Sequence, residues 1–251
     1  MRSATFGSVT LYQGDALEIL PTLAPASFAG ILTDPPYCSG GAHLTDRTAA
    51  TSSKYQTPEH RGLYPEFAGD TRDQRSFLAW SVLWMSRART LVEDGGLIAT
   101  FTDWRQLPIS TDAVQAAGWV WRGVVPWDKT ERGRPQKGRY RAQAEYVVWG
   151  TNGARPLEGP TAPGVFRIPV PHLKHHIAGK PVALMDGLLT PFGPGAILDP
   201  FMGSGTVGLA CLHRGRPYVG IEMTPAYFDI ACRRLEEAAR SPHLAVGDDT
   251  P

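Results

Sequence analysis

The feature that most constrains the fold is a strand, a glycine-rich turn and a helix in immediate succession. An apolar strand over residues 196–199 ends at the Asp199 carboxylate, and the chain then turns through Gly203-Ser204-Gly205 into a helix. Glycines let the backbone approach a bound ligand closely, and nucleotide-binding turns occur in this strand–turn–helix context. The segment therefore predicts an α/β protein with a ligand site at the end of this strand.

A second acid favours a nucleotide as the ligand. Glu222 ends the next predicted strand, where a carboxylate can accept hydrogen bonds from both hydroxyls of a ribose. No Lys-Ser or Lys-Thr pair follows the glycines, which excludes a triphosphate P-loop, and the third glycine of the dinucleotide fingerprint is missing. Asp199 could bind a cationic group such as an α-ammonium. The alternative is a tight turn with incidental acids.

Short apolar strands alternate with helices along the chain, which predicts a mostly parallel sheet with helices on both faces. The predicted strands are 9–12, 28–33, 97–102, 119–127, 145–149, 196–199 and 218–222. The predicted helices are 16–20, 76–91, 112–117, 180–189, 206–214 and the stretch that begins at Pro225. Helix 76–91 has one face formed by Leu78, Val82, Met85 and Arg89. Strands 119–127 and 145–149 are expected to form an antiparallel hairpin at the edge of the sheet.

Length and composition fit one large domain over residues 1–251, because 42% of the residues are hydrophobic and can form a sizeable core. Residues 38–75, which have no clear period, and residues 128–172 are expected to be variable loops for target recognition or DNA contact, since long loops are usually functional or disordered. The formal net charge is only +1. Any binding of nucleic acid must therefore come from a local basic patch.

The cysteines and the apolar segments exclude several classes of protein. Cys38, Cys211 and Cys232 have no spacing typical of metal ligands, so no metal site is expected. An odd number of cysteines suits a reducing compartment. The first fifteen residues contain no apolar leader, and no apolar run is long enough to span a membrane. We therefore expect a cytoplasmic protein.

The segment Asp34-Pro35-Pro36-Tyr37 follows a buried strand and suggests a catalytic corner. An exocyclic amine on a nucleobase is a poor nucleophile, because its lone pair is conjugated with the ring. Two acceptors, the Asp34 carboxylate and the Pro35 carbonyl, could bind both N–H groups and free that lone pair. The prolines hold the acceptor rigid, and the Tyr37 ring could stack on an extruded base. The alternative is a plain loop with a buried tyrosine.

As an ordered set, these segments resemble the β-group of bacterial and phage DNA amino-methyltransferases, in which the Asp-Pro-Pro-Tyr corner precedes the glycine-rich turn. The resemblance implies a Rossmann-like, S-adenosylmethionine-dependent methyltransferase fold and a site-specific activity on the N6 amine of a flipped adenine in duplex DNA. It also implies S-adenosylmethionine as the cofactor. Because this chain lacks the family's large recognition insert after residue 150, we expect a homodimer; a partner restriction endonuclease stays open.

The resemblance also assigns residues to the cofactor and to the target base. Those near the cofactor are Asp15, His176, Lys180, Asp199, Phe201, Gly203, Gly205, Thr206 and Glu222. From its own position after a strand and a glycine, Asp15 is better explained as a helix cap than as an acceptor for the adenine amine of the cofactor. In the segment 176–181 only His176, Lys180 and Pro181 match the family element beside the methionine end of the cofactor. Trp127 and Lys129 are expected to line the target-base pocket.

The connection between the two hairpin strands is strongly basic. It holds six cations against one acid, and the cations are Lys129, Arg132, Arg134, Lys137, Arg139 and Arg141. A basic loop beside a base-modifying site is expected to bind phosphates. Residues 38–75 carry balanced charges and are the candidates for reading bases. A solvated surface loop is the alternative for the basic segment.

Three other activities stay open at this point. N4-cytosine methylation would use the same two acceptors, although Asp at the first position of the corner favours adenine in the family. A non-catalytic DNA-binding relative and an RNA methyltransferase are the further alternatives. Cytosine-C5 methylation is disfavoured, because no cysteine follows a proline.

Overall fold

A computed structural model describes residues 1–37, 72–131, 137–170 and 179–240. Within these ranges one sheet has the strand order β1-β2-β9-β8-β3-β4-β6-β5-β7. Its strands are β1 (Arg2–Phe6), β2 (Val9–Gln13), β3 (Phe28–Thr33), β4 (Val92–Thr102), β5 (Val120–Asp128), β6 (Ala144–Thr151), β7 (Phe166–Arg167), β8 (Ala196–Asp199) and β9 (Tyr218–Glu222). Its helices are α1 (Ala16–Ile19), α2 (Gln74–Arg89), α3 (Leu107–Ala116), α4 (Val182–Leu189), α5 (Thr206–His213) and α6 (Pro225–Arg240).

The sheet is mostly parallel, as the alternation of strands and helices predicts. Strands β2, β9, β8, β3 and β4 pair in parallel, and β6 pairs antiparallel with both β4 and β5. The predicted antiparallel hairpin is therefore confirmed. It is not quite at the edge, because the two-residue β7 adds to β5 beyond it.

Successive residues of the central strands face two separate cores. Leu32, Leu97 and Ile197 belong to a cluster with residues of α4, α5 and α6, whereas Ile31 and Ile98 belong to a cluster with residues of α1, α2 and α3. This alternation follows from the two-residue period of a strand. Apolar residues on both faces of each strand account for the continuous hydrophobic runs and place helices on both sides.

Several elements differ from the sequence-based expectation. β1 was not predicted; it pairs antiparallel with β2 at the edge of the sheet. β4 begins at Val92 instead of Leu97, and Gly95, at φ 76°, lies inside it rather than after a helix. The buried face of α2 consists of Phe77, Ser81, Trp84, Met85 and Ala88, so the predicted face was displaced by about one residue. The stretch expected to be loop after residue 150 contains β7.

The order of the strands gives the position of the site. The chain connection that follows β3 runs to β4 on one side, and the connection that follows β8 runs to β9 on the opposite side. The two connections therefore leave the sheet in opposite directions from the point between β3 and β8. Ligands of open α/β sheets bind at such a point, beyond the carboxyl ends of the strands. Asp34 and Asp199 lie at the ends of these two strands. In the described ranges no helix is long and apolar enough to cross a membrane.

Candidate active site

Asp34 directly follows β3, and its two carboxylate oxygens have different surroundings. Oδ2 accepts a hydrogen bond from Lys180 Nζ at 2.5 Å. Oδ1 is shielded from solvent and has no hydrogen-bond partner among the described residues. A buried acceptor without a partner is costly in a protein, and its presence calls for an explanation such as a missing ligand. Pro35 is buried, and the two successive proline rings hold the Pro35 carbonyl in a fixed position.

The Lys180 ammonium is buried between two acids. Its side chain is only 4% exposed, and Nζ lies 2.5 Å from Asp34 Oδ2 and 3.3 Å from Glu145 Oε2. Nζ is also 5.6 Å from the centre of the Tyr37 ring and 5.1 Å from that of Phe101. Pro181 caps α4 in an extended conformation, so Lys180 precedes the helix rather than forming part of it. The resemblance places Lys180 at the cofactor, whereas its contacts are with Asp34 and Tyr37 of the Asp-Pro-Pro-Tyr corner and with Glu145.

Glu145, at the start of β6, is a member of the site that the sequence analysis missed. Its Oε2 accepts a hydrogen bond from the Tyr37 hydroxyl at 3.0 Å, and its Oε1 accepts one from Lys129 Nζ at 3.2 Å. The pairing of β6 with β4 and β5 brings it to the same edge of the sheet as Asp34. The available signal was an acid within a strand that otherwise carries apolar side chains, because buried acids are usually paired.

The charges of this cluster compensate one another. Burial raises the pKa of Glu145, but the cations Lys180 and Lys129 outweigh it and bring that pKa to about 2. Burial lowers the pKa of Lys180, yet Asp34 and Glu145 raise it above its ordinary value. For Asp34, burial raises the pKa while Lys180 opposes that rise and Glu145 adds to it. Glu145 and Lys180 are therefore charged near neutral pH. The charge of Asp34 depends on the balance between Lys180, which lowers its pKa, and Glu145, which raises it.

Asp199 connects three strands at the end of β8. Its Oδ1 accepts hydrogen bonds from Thr33 Oγ1 at 2.6 Å and from the Phe201 N–H at 3.2 Å, and its Oδ2 accepts one from the Tyr218 hydroxyl at 3.1 Å. The residue is 1% exposed, and burial raises its pKa to about 7. Both oxygens are thus bound within the protein. Asp199 orders the strand ends, and the expected contact with a cationic ligand group stays a prediction.

Glu222 fixes the glycine-rich turn. Its Oε2 accepts from the Gly203 N–H at 3.1 Å and its Oε1 from the Thr224 N–H at 2.7 Å. Gly203 and Gly205 have φ values of 52° and 83°, a backbone conformation that residues with a side chain rarely adopt. α5 begins at Thr206 immediately afterwards. A carboxylate has about four acceptor positions. The Thr224 side chain and the Met223 N–H also bind this carboxylate, so all four are used within the protein, and the ribose contact stays a prediction.

Phe201 is part of an aromatic cluster beside the turn. Its ring is partly exposed and lies 5.2 Å from the Trp80 ring and 5.1 Å from the Trp84 ring, measured between centroids. Trp80 and Trp84 are one helical turn apart on α2, so the displaced helix face concealed this contact from the sequence analysis.

Asp15 is the N-cap of α1 and accepts from the Leu17 N–H at 2.8 Å. The cap interpretation of Asp15 is therefore confirmed.

The expected target-base pocket needs one correction. Trp127 is 2% exposed, its indole N–H donates to the Ile168 carbonyl, and its ring packs edge-on to Phe101. Trp127 belongs to the buried core and packs against Phe101, so its ring does not offer a face to a base. Lys129 does lie at the site, through its bond to Glu145.

The basic connection starts and ends beside the site, because Asp128 and Ala144 are paired at the edge where Glu145 lies. Lys137 and Arg139 are exposed, and Arg141 donates to the Glu131 carbonyl. Arg132, Arg134 and His176 lie outside the described residues. Among the residues that the structure describes, no group of acids, histidines or cysteines could hold a metal ion.

Comparison with known proteins identifies the family. The model of a DNA methylase family, N6_N4_Mtase, matches residues 28–161 and 157–233. The chain belongs to this family. It is 28% identical to the methylase YubD of Escherichia coli K12, with 94% of both chains covered. It is also 28% identical to the type II methyltransferase M.Cfr9I of Citrobacter freundii, over 90% of this chain and 87% of that one.

Solved structures of DNA methyltransferases share the fold. The complex of M1.HpyAVI with SAM superposes with a TM-score of 0.63 at 24% identity, covering 90% of this chain and 98% of that one. The cytosine-N4-specific PvuII DNA methyltransferase superposes with a TM-score of 0.69 at 16% identity, covering 97% and 94%. The expected S-adenosylmethionine-dependent methyltransferase fold of this family member is thereby confirmed.

Proposed function

We propose that this DNA methylase transfers the methyl group of S-adenosylmethionine to the exocyclic N6 of an adenine that has been flipped out of duplex DNA. The observation that carries the proposal is the shielded Oδ1 of Asp34, an acceptor without a partner among the described residues. It lies at the divergence of the sheet connections, next to the rigid Pro35 carbonyl. An amino group has two N–H donors, and these two acceptors suit it.

The residues of the site explain how such an amine becomes a nucleophile. Hydrogen bonds to Asp34 and the Pro35 carbonyl favour a tetrahedral nitrogen, whose lone pair is free to form the new N–C bond. The cofactor supplies an activated methyl group, whose bond to sulfur breaks as the N–C bond forms. The nitrogen then loses one proton, and Asp34 is the nearest group that can accept it. Because both acceptors are fixed beforehand, little reorganisation is needed during the reaction.

The described residues fit S-adenosylmethionine as the methyl donor. Glu222 ends β9 and is the carboxylate assigned to the ribose hydroxyls, and Gly203 and Gly205, at positive φ, present no side chain to a ligand. The partly exposed Phe201 ring, supported by Trp80, offers a flat surface for the adenine of the cofactor. Asp15, Thr206, Asp199 and His176 stay predicted members of this site.

Adenine is proposed over cytosine because Asp occupies the first position of the corner, which resembles the N6-adenine enzymes of the family. Several relatives of the chain carry the name type II methyltransferase. We therefore propose a site-specific enzyme that acts on double-stranded DNA in the cytoplasm and can accompany a restriction endonuclease. Sequence reading is assigned to residues 38–75.

The test is to identify the methylated base directly. Plasmid DNA is incubated with the protein and with isotopically methyl-labelled S-adenosylmethionine, then digested to nucleosides and analysed by mass spectrometry. We expect label in N6-methyl-2′-deoxyadenosine. Label in N4-methylcytosine would contradict the choice of adenine, and label only in RNA substrates would contradict DNA as the substrate.

We expect Asp34→Ala to lower kcat by about a hundredfold or more, because it removes one of two preorganised acceptors. The affinity for S-adenosylmethionine, measured by calorimetry, should stay within about twofold, since Asp34 is assigned to the amine alone. Asp112→Ala, an exposed aspartate on α3, is the matched control and should behave like the wild type. Wild-type turnover in Asp34→Ala would overturn the mechanism.

A further inference from the structure

Lys180 is held by two acids from separate parts of the chain. Asp34 follows β3 and Glu145 begins β6, and both carboxylates lie within 3.3 Å of the buried Lys180 ammonium. Removing one partner of a buried ion pair leaves the other charge uncompensated. The Lys180 ammonium is therefore held by Asp34 and Glu145 and would have to break an ion pair to reach a ligand farther away.

Glu145 is itself fixed independently of Asp34. One of its oxygens accepts from Lys129 at 3.2 Å, and the other accepts from the Tyr37 hydroxyl at 3.0 Å. These contacts hold Glu145 in place on the hairpin side of the site. Glu145 can thus hold the Lys180 ammonium whether or not a base is bound to Asp34.

We propose that Lys180 and Glu145 are a positioning pair for Asp34. Glu145 holds the Lys180 ammonium, and Lys180 binds Oδ2 of Asp34, so that Oδ1 is left as the acceptor for the target amine. The pair acts through Asp34 and makes no contact with the base itself. This role rests on the proposed function only in requiring an exocyclic amine as the target, whether of adenine or of cytosine.

The resemblance to other family members suggests a different role for Lys180, beside the methionine end of the cofactor. The two roles differ in charge. A cofactor carboxylate at Nζ would be a third anion around one buried cation, next to Asp34 and Glu145, and would leave the cluster with an uncompensated negative charge. The contacts of Lys180 with Asp34 and Glu145 therefore favour the positioning role.

The pair also controls the charge of Asp34. In the described residues the charges that act on Asp34 are those of Lys180, Glu145 and Asp199. Glu145 in turn interacts with Lys129, Tyr37 and Asp103. Lys180 favours the ionised carboxylate, whereas Glu145 opposes it. Loss of the Lys180 charge should raise the pKa of Asp34, and loss of the Glu145 charge should lower it. A residue with a merely structural role would cause neither shift.

The experiment compares Lys180→Met, Lys180→Arg and Glu145→Gln with the wild-type enzyme. We expect kcat to fall by about a hundredfold in Lys180→Met, as for a misplaced catalytic group, with partial recovery in Lys180→Arg. The acid limb of the kcat–pH profile should move to higher pH in Lys180→Met and to lower pH in Glu145→Gln. Cofactor affinity should change by less than about twofold. Arg214→Met, which breaks the bidentate ion pair with Asp186 outside the site, should leave the profile unchanged.

A measurement without turnover separates this inference from the proposed function. The Asp34 carboxyl of the cofactor-free protein is titrated by carbon-13 NMR with labelled aspartate, assigned by its loss in Asp34→Asn. A higher Asp34 pKa in Lys180→Met and a lower one in Glu145→Gln support the pair even if no DNA base is methylated. Unchanged Asp34 titration in both variants would overturn it. A tenfold loss of cofactor affinity in Lys180→Met with an unmoved acid limb would place Lys180 on the cofactor instead.

Discussion

At the scale of single residues, Glu222 combines two tasks. Its carboxylate binds the N–H groups of Gly203 and Thr224, and the ribose of the cofactor is assigned to the same carboxylate. Hydrogen bonds that involve a charged group contribute roughly 1.5–3 kcal/mol each. We therefore expect Glu222→Ala to weaken S-adenosylmethionine binding about tenfold or more in calorimetry. Glu237→Ala, on the exposed side of α6, is the control; unchanged affinity in Glu222→Ala would place the ribose elsewhere.

Asp199 gives a prediction about pH. Burial raises its pKa to about 7 in the folded chain, whereas an unfolded aspartate titrates near 3.9. Between these values the folded state retains a proton that the unfolded state has lost, so this residue's contribution to stability is present at low pH and is lost as the pH rises towards 7. The slope is at most about 1.4 kcal/mol per pH unit.

Asp199→Asn should remove this dependence. Urea unfolding of both proteins at several pH values gives the difference in the free energy of unfolding, wild type minus variant. We expect that difference to decrease as the pH rises across the window, whatever its absolute value. A difference that is constant, or that increases with pH, would show that Asp199 is already ionised in the folded protein.

The residues that the sequence identified are those whose chemistry shows in a local motif. Asp34, Tyr37 and Glu222 occupy the strand ends where the motifs place them. Glu145 and Trp80 could not be found in this way, because their roles depend on strand pairing and on a helix face, which bring distant segments together. Trp127 was misassigned for a related reason: a strand end gives no direct indication of whether its tryptophan faces the cleft or the core.

At the scale of elements, strands buried on both faces were the most predictable, and β3, β8 and β9 have the predicted bounds. Their long apolar runs leave little ambiguity. β1 was missed because its residues Arg2–Phe6 are mostly polar or small and mostly exposed, and its pairing with β2 determines its structure. The start of β4 was misjudged because two glycines normally end an element, whereas here they lie within a strand.

The basic connection between β5 and β6 is expected to bind DNA through phosphates. It begins and ends at the site, and its described cations Lys137 and Arg139 are exposed. Neutralising Arg132, Arg134, Lys137 and Arg139 should weaken binding to specific and unrelated DNA about equally, because phosphate contacts carry little sequence information. Each lost contact should reduce the slope of log affinity against log salt by about 0.9.

Fluorescence anisotropy at several salt concentrations measures both quantities for this connection. Arg233→Ala, exposed on α6, is the control and should leave the slope unchanged. An unchanged slope in the fourfold variant would remove the connection from the DNA. A selective loss of specific binding would mean that it reads bases, and the assignment of base reading to residues 38–75 would then be wrong.

At the scale of the whole molecule, the described residues that follow β6 add little to the methyltransferase core. Between the end of β6 and the start of α4 the described residues form only the two-residue β7. A duplex target of several base pairs needs contacts on both sides of the flipped base, and one core of this size supplies few of them. Two copies related by a two-fold axis would read the two halves of a palindrome.

We therefore expect a homodimer. Light scattering at micromolar concentration should give about twice the 27.3 kDa of one chain, and titration with a palindromic duplex should saturate at two chains per duplex. The expectation depends on the second copy contributing to recognition, so dilution below the dimer dissociation constant should lower specific affinity more than non-specific affinity. A mass of one chain with DNA bound would contradict it, and base reading would then have to come from residues 38–75 of a single chain.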